Sequence, residues 1–244
     1  MLAVQDSAAG RFLDGLGREL PWPKAIVVAS AHFMTDGPML GGHAQPHTVH
    51  DFGGFPQELY TLHYPAPGAP DLAESIAQRL VDAGLPVRVR ESHGLDHGVW
   101  VPLLRMYPDA DIPVVQISVQ PALGPQHHVN LGKAVRPLAD ENVLIIGSGH
   151  MTHNLRDWAR GQGQPAPYAR EFQQWVKQKI DASQYDELVD YRSRSPHGVR
   201  AHPTDEHFLP LFFALGAAGE RSKPERVYDA IDSGVLAMDA YVFS

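Results

Sequence analysis

Short continuous apolar runs alternate with helix-like segments along this chain, and that order restricts the fold more than any other feature of the sequence. Residues 24–31 (KAIVVASA) are almost wholly apolar and rich in β-branched side chains, as a strand buried on both faces would be. Residues 70–85 (PDLAESIAQRLVDAGL) follow a helical period, with Leu72, Ile76 and Leu80 on one face, Asp71 and Glu74 resembling a capping box and Gly84 as the stop. Short strands are expected at 86–90 (PVRVR) and 113–118 (PVVQIS), with a helix at 98–107 between them. Residues 126–140 read as helix and 142–147 (NVLIIG) as another buried strand. At 166–180, Tyr168, Phe172, Trp175 and Val176 fall at helical spacing and read as core. A helix opening at Thr204 is expected over 204–217, and the alternation around Asp232-Ser233-Gly234 predicts a terminal hairpin. Together these segments predict an α/β fold, one domain over residues 1–244, with a mainly parallel central sheet and helices on both faces. Between the first strand and the first helix, residues 34–69 form a long loop rich in Gly and Pro.

Composition narrows the function classes. A chain of 244 residues with 43% hydrophobic and 20% charged side chains is a soluble globular protein. A net charge of −8 with no basic run argues against a nucleic-acid partner or an anionic membrane surface. The absence of Cys excludes disulfides, thiolate zinc sites, Fe–S clusters and cysteine nucleophiles, and fits a reducing, cytoplasmic location. No stretch approaches the ~18 apolar residues of a membrane span, and the first residues have no apolar signal core.

Histidine is the unusual residue: there are 14, and histidine is the commonest metal ligand. In open α/β sheets ligands sit beyond the carboxyl ends of strands. His32 directly follows the first apolar run, and His150 and His153 follow the run at 142–147, so those two strand ends are the candidate site. His32 is either a ligand or a histidine satisfied by backbone. His207, in Thr204-Asp205-Glu206-His207, would be the third helical residue, either a surface side chain or one kept neutral by coordination at the positive end of the helix. His43, His47, His50 and His63 alternate with Phe52, Phe55, Tyr60 and Tyr64, which suits a lid over a flat ligand or a rigid loop packed by its own aromatics. Gly94 and Gly98 argue against His93 and His97 pairing on one helix; His97 would face the pocket, with Asp96 as cap or orienter. His127, His128, His197 and His202 are assigned to the surface or to local hydrogen bonds. The sequence has no H-E-x-x-H, P-loop or G-x-S-x-G motif, and Gly147-Ser148-Gly149 lacks the third glycine of a dinucleotide turn.

The runs S-A-H-F (30–33), H-D-F-G-G-F-P (50–56), H-Y-P-A-P-G (63–68), D-H-G-V-W (96–100), M-Y-P-D-A-D-I-P (106–113), S-G-H-M-T-H-N-L (148–155) and T-D-E-H-F-L-P (204–210) resemble, in this order, the DODA-type class III extradiol ring-cleavage dioxygenases. The resemblance implies an α/β sandwich around a mixed sheet and a non-haem metal, iron(II) or in some members zinc(II). It also implies a catechol-type substrate such as DOPA, cleaved with dioxygen, in a monomer or homodimer. It carries over His32 and His207 as metal ligands, with Glu206 as the fallback for His207. His153 becomes an acid–base group or a further metal contact, and His97 the pocket histidine near the substrate hydroxyl. His50, Phe52, Phe55 and Trp100 would form the substrate pocket. Family members begin with a strand ending in His-Gly-x-Pro, whose His is the remaining ligand. No His precedes His32, so either the true start lies upstream or a ligand has been lost, and the expectation is a site one ligand short, weak in metal binding unless His153 or a loop His completes it. The competing expectations are a zinc hydrolase using the same histidines and a non-catalytic homologue that binds a metal or an aromatic molecule.

Overall fold

The computed structural model describes residues 3–4, 6–159 and 164–244, so Met1, Leu2 and Gln5 of the opening lie outside the described residues. Its main sheet is built from β1 (Ala25–Met34), β2 (Met39–Gly41), β3 (Arg88–Arg90), β4 (Val114–Val119) and β5 (Val143–Ser148), in the spatial order β3-β2-β4-β1-β5. β1 pairs in parallel with β4 and with β5, and β2 with β3; only the β2–β4 pairing is antiparallel. The sheet is therefore mixed and mainly parallel, as the sequence pattern and the resemblance led one to expect. The continuous apolar runs have the stated cause. In β1, Val27 and Ala29 join one core cluster while Ile26 and Val28 join the other, so residues 25–31 are buried on both faces, whereas His32 is half-buried and Met34 exposed.

The helices are α1 (Ala8–Glu19), α2 (Pro70–Asp82), α3 (His97–Met106), α4 (Gly124–Val135), α5 (Leu155–Trp158), α6 (Pro167–Asp181), α7 (Tyr185–Val189), α8 (Tyr191–Arg194), α9 (Gly198–Ala201) and α10 (Leu209–Ala218). On one face of the sheet, Leu13 and Leu16 of α1 pack with Val99, Trp100, Leu103 and Met106 of α3. On the other, Ile76 and Leu80 of α2, Leu131 and Val135 of α4, Phe172 and Val176 of α6, and Phe212 and Phe213 of α10 form the larger cluster. Each such fully buried side chain contributes about 1.5–3 kcal/mol of transfer free energy, which fixes both layers on the sheet. Tyr168, Phe172 and Val176 are core, as their spacing predicts, with Trp175 packed at the margin. The chain ends in β6 (Pro224–Tyr228), β7 (Ile231–Asp232), β8 (Leu236–Ala237) and β9 (Ala240–Phe243). β6 pairs with β9 and β7 with β8 around a turn where Ser233 and Gly234 both have positive φ, which is the expected hairpin.

Three local expectations are corrected. The segment 34–69 is not all loop, because β2 enters the sheet beside β4; a three-residue strand between Gly and Pro carries too few alternations to show a period. The capping box at Asp71 and Glu74 does not form: Ala69 is the N-cap, without a side-chain bond, and Pro70 opens the helix instead. Gly84 does end α2, at φ +74, with Leu85 N–H reaching back to Leu80 O. α10 begins at Leu209 rather than Thr204, and His207 lies in the turn before it, where Phe208 and Leu209 N–H both bond Asp205 O. None of the helices among the described residues is long and apolar enough to cross a membrane.

Candidate functional site

The register of the two central parallel strands builds the site. Ser30 of β1 pairs with Ser148 of β5, so His32 and His150 emerge side by side at the carboxyl ends. The turn leading into α10 passes directly over β5: His150 N–H bonds His207 O at 2.9 Å, and a Cβ on Gly149 would stand 2.2 Å from that carbonyl oxygen. Only glycine permits this approach, and it brings His207 over the strand end. His153 N–H bonds Ala201 O, tying the loop after β5 to α9. From the other face, α3 starts at His97. Asp96 is its N-cap, as anticipated, with its buried carboxylate accepting from Gly98 N–H at 2.8 Å, from Ser30 Oγ–H at 2.7 Å and from Gln116 Nε2–H. A single carboxylate thus ties the start of α3 to β1 and β4.

Five imidazoles converge there. Ring centres of His32 and His97 are 3.9 Å apart, of His32 and His207 5.0 Å, and of His150 and His207 5.6 Å. His153 and His207 stack in parallel at 3.4 Å. Burial, reinforced by the charges its neighbours would carry, pushes His32 down to about 3, and burial with the adjacent His207 pushes His153 down to about 4. Burial also holds His150 well below the ordinary imidazole value, and its Nδ1 is buried without a hydrogen-bond partner. At neutral pH these three rings are neutral, which is the ligand form of imidazole.

Two carboxylates stand behind the rings. Asp51 accepts both the backbone N–H and the Nδ1–H of His97 at 2.9 Å, and its other oxygen is 3.4 Å from His32 Nδ1. Burial raises the Asp51 carboxyl, but the His97 bonds outweigh it and hold it at about 2. Glu206 accepts from His207 Nδ1–H at 3.1 Å and from Thr204 Oγ1–H at 3.0 Å; against the opposing effect of burial, these bonds hold it at about 2. Donor atoms of His32, Asp51 and His97 lie within 4.8 Å of one another, as do those of His153, Glu206 and His207. An imidazole-rich donor set with flanking carboxylates fits a divalent first-row metal.

A cavity of about 870 Å³ opens on this cluster; His32, Phe52, His97, Trp100, His150 and His207 are part of its wall. It continues along β5, whose second edge is unpaired among the described residues, between α1 and β9. Of the expected pocket residues, Phe52 and Trp100 line the cavity. Trp100 is fully buried, with Nε1–H bonded to Val49 O, so it is a wall rather than a mobile stacking ring. His50 is packed behind them, donating from Nε2 to Leu62 O, and Phe55 is an exposed ring against Phe52. His150 stands at the strand end where the sequence placed it, as a bare candidate without a role, whereas Asp51 carried no expectation at all. His202 and His128 are buried rather than superficial; His128 has the expected local bond, to Gly124 O, whereas His202 bonds Met151 O, far away in sequence. His93 stacks on Phe33, away from the site.

An α/β sheet that gathers imidazoles at adjoining parallel strand ends forms a candidate metal centre opening on a cavity, and comparison makes the class specific. The family model described as the catalytic LigB subunit of aromatic ring-opening dioxygenase matches residues 17–243. The chain is 43% identical over 248 residues to a 4,5-DOPA dioxygenase extradiol of Beta vulgaris, covering 100% of this chain and 92% of that protein. It is 40% identical over 246 residues to the protein of the same name from Escherichia coli (strain K12), covering 98% and 89%. The crystal structure of an uncharacterized Escherichia coli K12 protein superposes with a TM-score of 0.84 at 35% identity, covering 98% of this chain and 93% of that one. The chain belongs to the LigB family of aromatic ring-opening dioxygenases, and it is an enzyme of the extradiol type.

Proposed function

We propose that this enzyme opens the ring of a catechol, with DOPA as the first substrate to test, using iron(II) or zinc(II) held by His32 and His207. The observation that carries the reading is the convergence of His32, His97, His153 and His207 at the ends of β1 and β5, on a cavity lined by Phe52. The bound metal would supply a Lewis acid that lowers the pKa of the catechol hydroxyls and a meeting point for substrate and dioxygen. The chain's own groups do the rest. His97, its ring 3.9 Å from that of His32, takes the second phenolic proton on Nε2 and returns it after ring cleavage. His153, stacked on His207, completes the ligand set or shares the proton traffic. Phe52 offers a face to the flat ring. The names of the relatives support DOPA as substrate, and the absence of Cys together with the acidic charge supports a cytoplasmic enzyme.

The test separates ligation from proton transfer. His32→Ala and His207→Ala should each lose stoichiometric iron or zinc while keeping the fold, and Glu206→Gln should keep the metal. His97→Ala should keep the metal and lose turnover by about 10²–10⁴-fold. Full metal content in both ligand variants would remove the assignment. Catechol-dependent oxygen uptake distinguishes this reading from a zinc hydrolase or a non-catalytic binder.

A further inference from the structure

Asp51 is the charged group closest to the core of the site that the proposed chemistry leaves without a task. It sits on the segment between β2 and α2, yet that segment is pinned where Asp51 lies: Val49 N–H bonds Leu95 O, and Leu95 N–H bonds His47 O. On the far side of the contact, His97 is fixed as the first residue of α3 by the Asp96 cap. Neither partner is a free surface side chain, so their approach is a property of the fold. One oxygen of Asp51 takes two N–H groups of His97, the backbone and Nδ1, both at 2.9 Å. The other oxygen is 3.4 Å from Nδ1 of His32. A carboxylate has two oxygens and about four lone-pair sites, enough for all three donors.

The consequence lies on the opposite side of the rings. With both Nδ1 atoms turned to the same carboxylate, Nε2 is the nitrogen left free on His32 and on His97. The two rings are 3.9 Å apart and share the wall of the cavity. We propose that Asp51 is a positioning residue that holds His32 and His97 together as Nδ1–H tautomers, presenting one Nε2 lone pair for the metal and the other for the substrate proton. Glu206 holds the Nδ1 of His207 in the same sense, from the turn before α10. The inference deepens the ring-opening reading and rests on it for the roles of the two Nε2 atoms, but not for the tautomers. The competing role for Asp51 is direct coordination, since its oxygen falls within 4.8 Å of donor atoms on both histidines. The two His97 separations are those of charge-assisted hydrogen bonds, both to one oxygen, while the 3.4 Å approach of the other oxygen to His32 Nδ1 is a longer electrostatic contact.

The experiment uses the metal-free protein first. Two-dimensional nitrogen–proton spectra of the imidazoles should show His32 and His97 protonated at Nδ1 in the wild type. In Asp51→Ala both should drift to mixed tautomers while the amide spectrum stays native. Iron-loaded Asp51→Ala should keep wild-type iron content and lose roughly 10–100-fold in kcat, with KM much less affected. Asp51→Asn, which keeps one oxygen acceptor, should fall between the two, and it serves as the test protein if the alanine variant does not fold. Unchanged tautomers in the variant that folds would overturn the proposal. So would loss of iron with unchanged tautomers, which would make Asp51 a ligand. If the wild type consumes no oxygen with any catechol, the functional reading fails, while the tautomer spectra still decide the role of Asp51.

Discussion

Replacing Gly149 by alanine tests whether close packing of the turn before α10 on β5 builds the site. The added methyl carbon would stand 2.2 Å from His207 O and 3.2 Å from Pro210 Cγ. Carbon and carbonyl oxygen do not pack closer than about 3.3 Å, so the turn must retreat by about 1 Å. The neighbour is backbone and cannot rotate away, so overpacking should cost about 1–3 kcal/mol. The bond from His150 N–H to His207 O, 2.9 Å long, is strained or lost with it, adding about 1 kcal/mol. The total of about 2–4 kcal/mol corresponds, at about 2–4 °C per kcal/mol for a chain of this size, to a melting point lower by about 4–16 °C. The chemical effect should be larger, because a displacement of about 1 Å at a reacting centre costs on the order of 10²-fold in rate. Calorimetry, metal content and oxygen uptake on Gly149→Ala would be read beside Gly15→Ala, an α1 glycine with open space around it. That control should gain about 0.5–1 kcal/mol from helix propensity. A Gly149→Ala protein that melts with the wild type and turns over at the wild-type rate would show that His207 is not placed by this contact.

Other perturbations separate the remaining parts. Asp96→Ala removes the cap of α3 and leaves Ser30 and Gln116 without their shared buried acceptor, so urea titration should show a loss of about 2–4 kcal/mol. Phe52→Ala should raise KM for a catechol by about tenfold with little change in kcat, because it removes ring contact made equally in ground and transition states. Away from the site, burial raises the Asp239 carboxyl to about 6, against the opposing bonds from Gln173 and Arg226. Its folded value lies above the unfolded one, so its contribution to stability is complete below about pH 4 and is lost as pH rises through 6. The stability difference between pH 4 and pH 7 should therefore shrink by roughly 3 kcal/mol in Asp239→Asn, measured by denaturant titration at both pH values.

What could be read from the sequence divides along physical lines. β1 and β5 stood out as continuous apolar runs, β1 because both its faces are buried and β5 because one face packs on the core while the other lines the apolar cavity, and their ends pointed to His32, His150 and His153. His97 and its Asp96 cap were legible because a cap is a local arrangement. The start of α10 was misread at Thr204, since a polar run before an apolar helix looks like an N-cap when the turn folding over Gly149 is unknown. The burial of His202 and His128 left no mark because each ring is held by backbone groups, Met151 O for His202 and Gly124 O with Gln120 N–H for His128, and such partners leave no side-chain pattern. Asp51 was invisible for the strongest reason. Its partners are 46 positions away at His97 and on the far side of β2 in sequence at His32, and nothing short-range in H-D-F-G-G-F-P distinguishes an orienting carboxylate from a turn residue.

Oxygen consumption by the iron-reconstituted protein in the presence of DOPA tests the central claim most directly. Uptake should depend on both metal and catechol, with one dioxygen per ring-opened product, and should collapse in His97→Ala with the metal retained. Fully metal-loaded protein that consumes no oxygen with DOPA or any simpler catechol would contradict it.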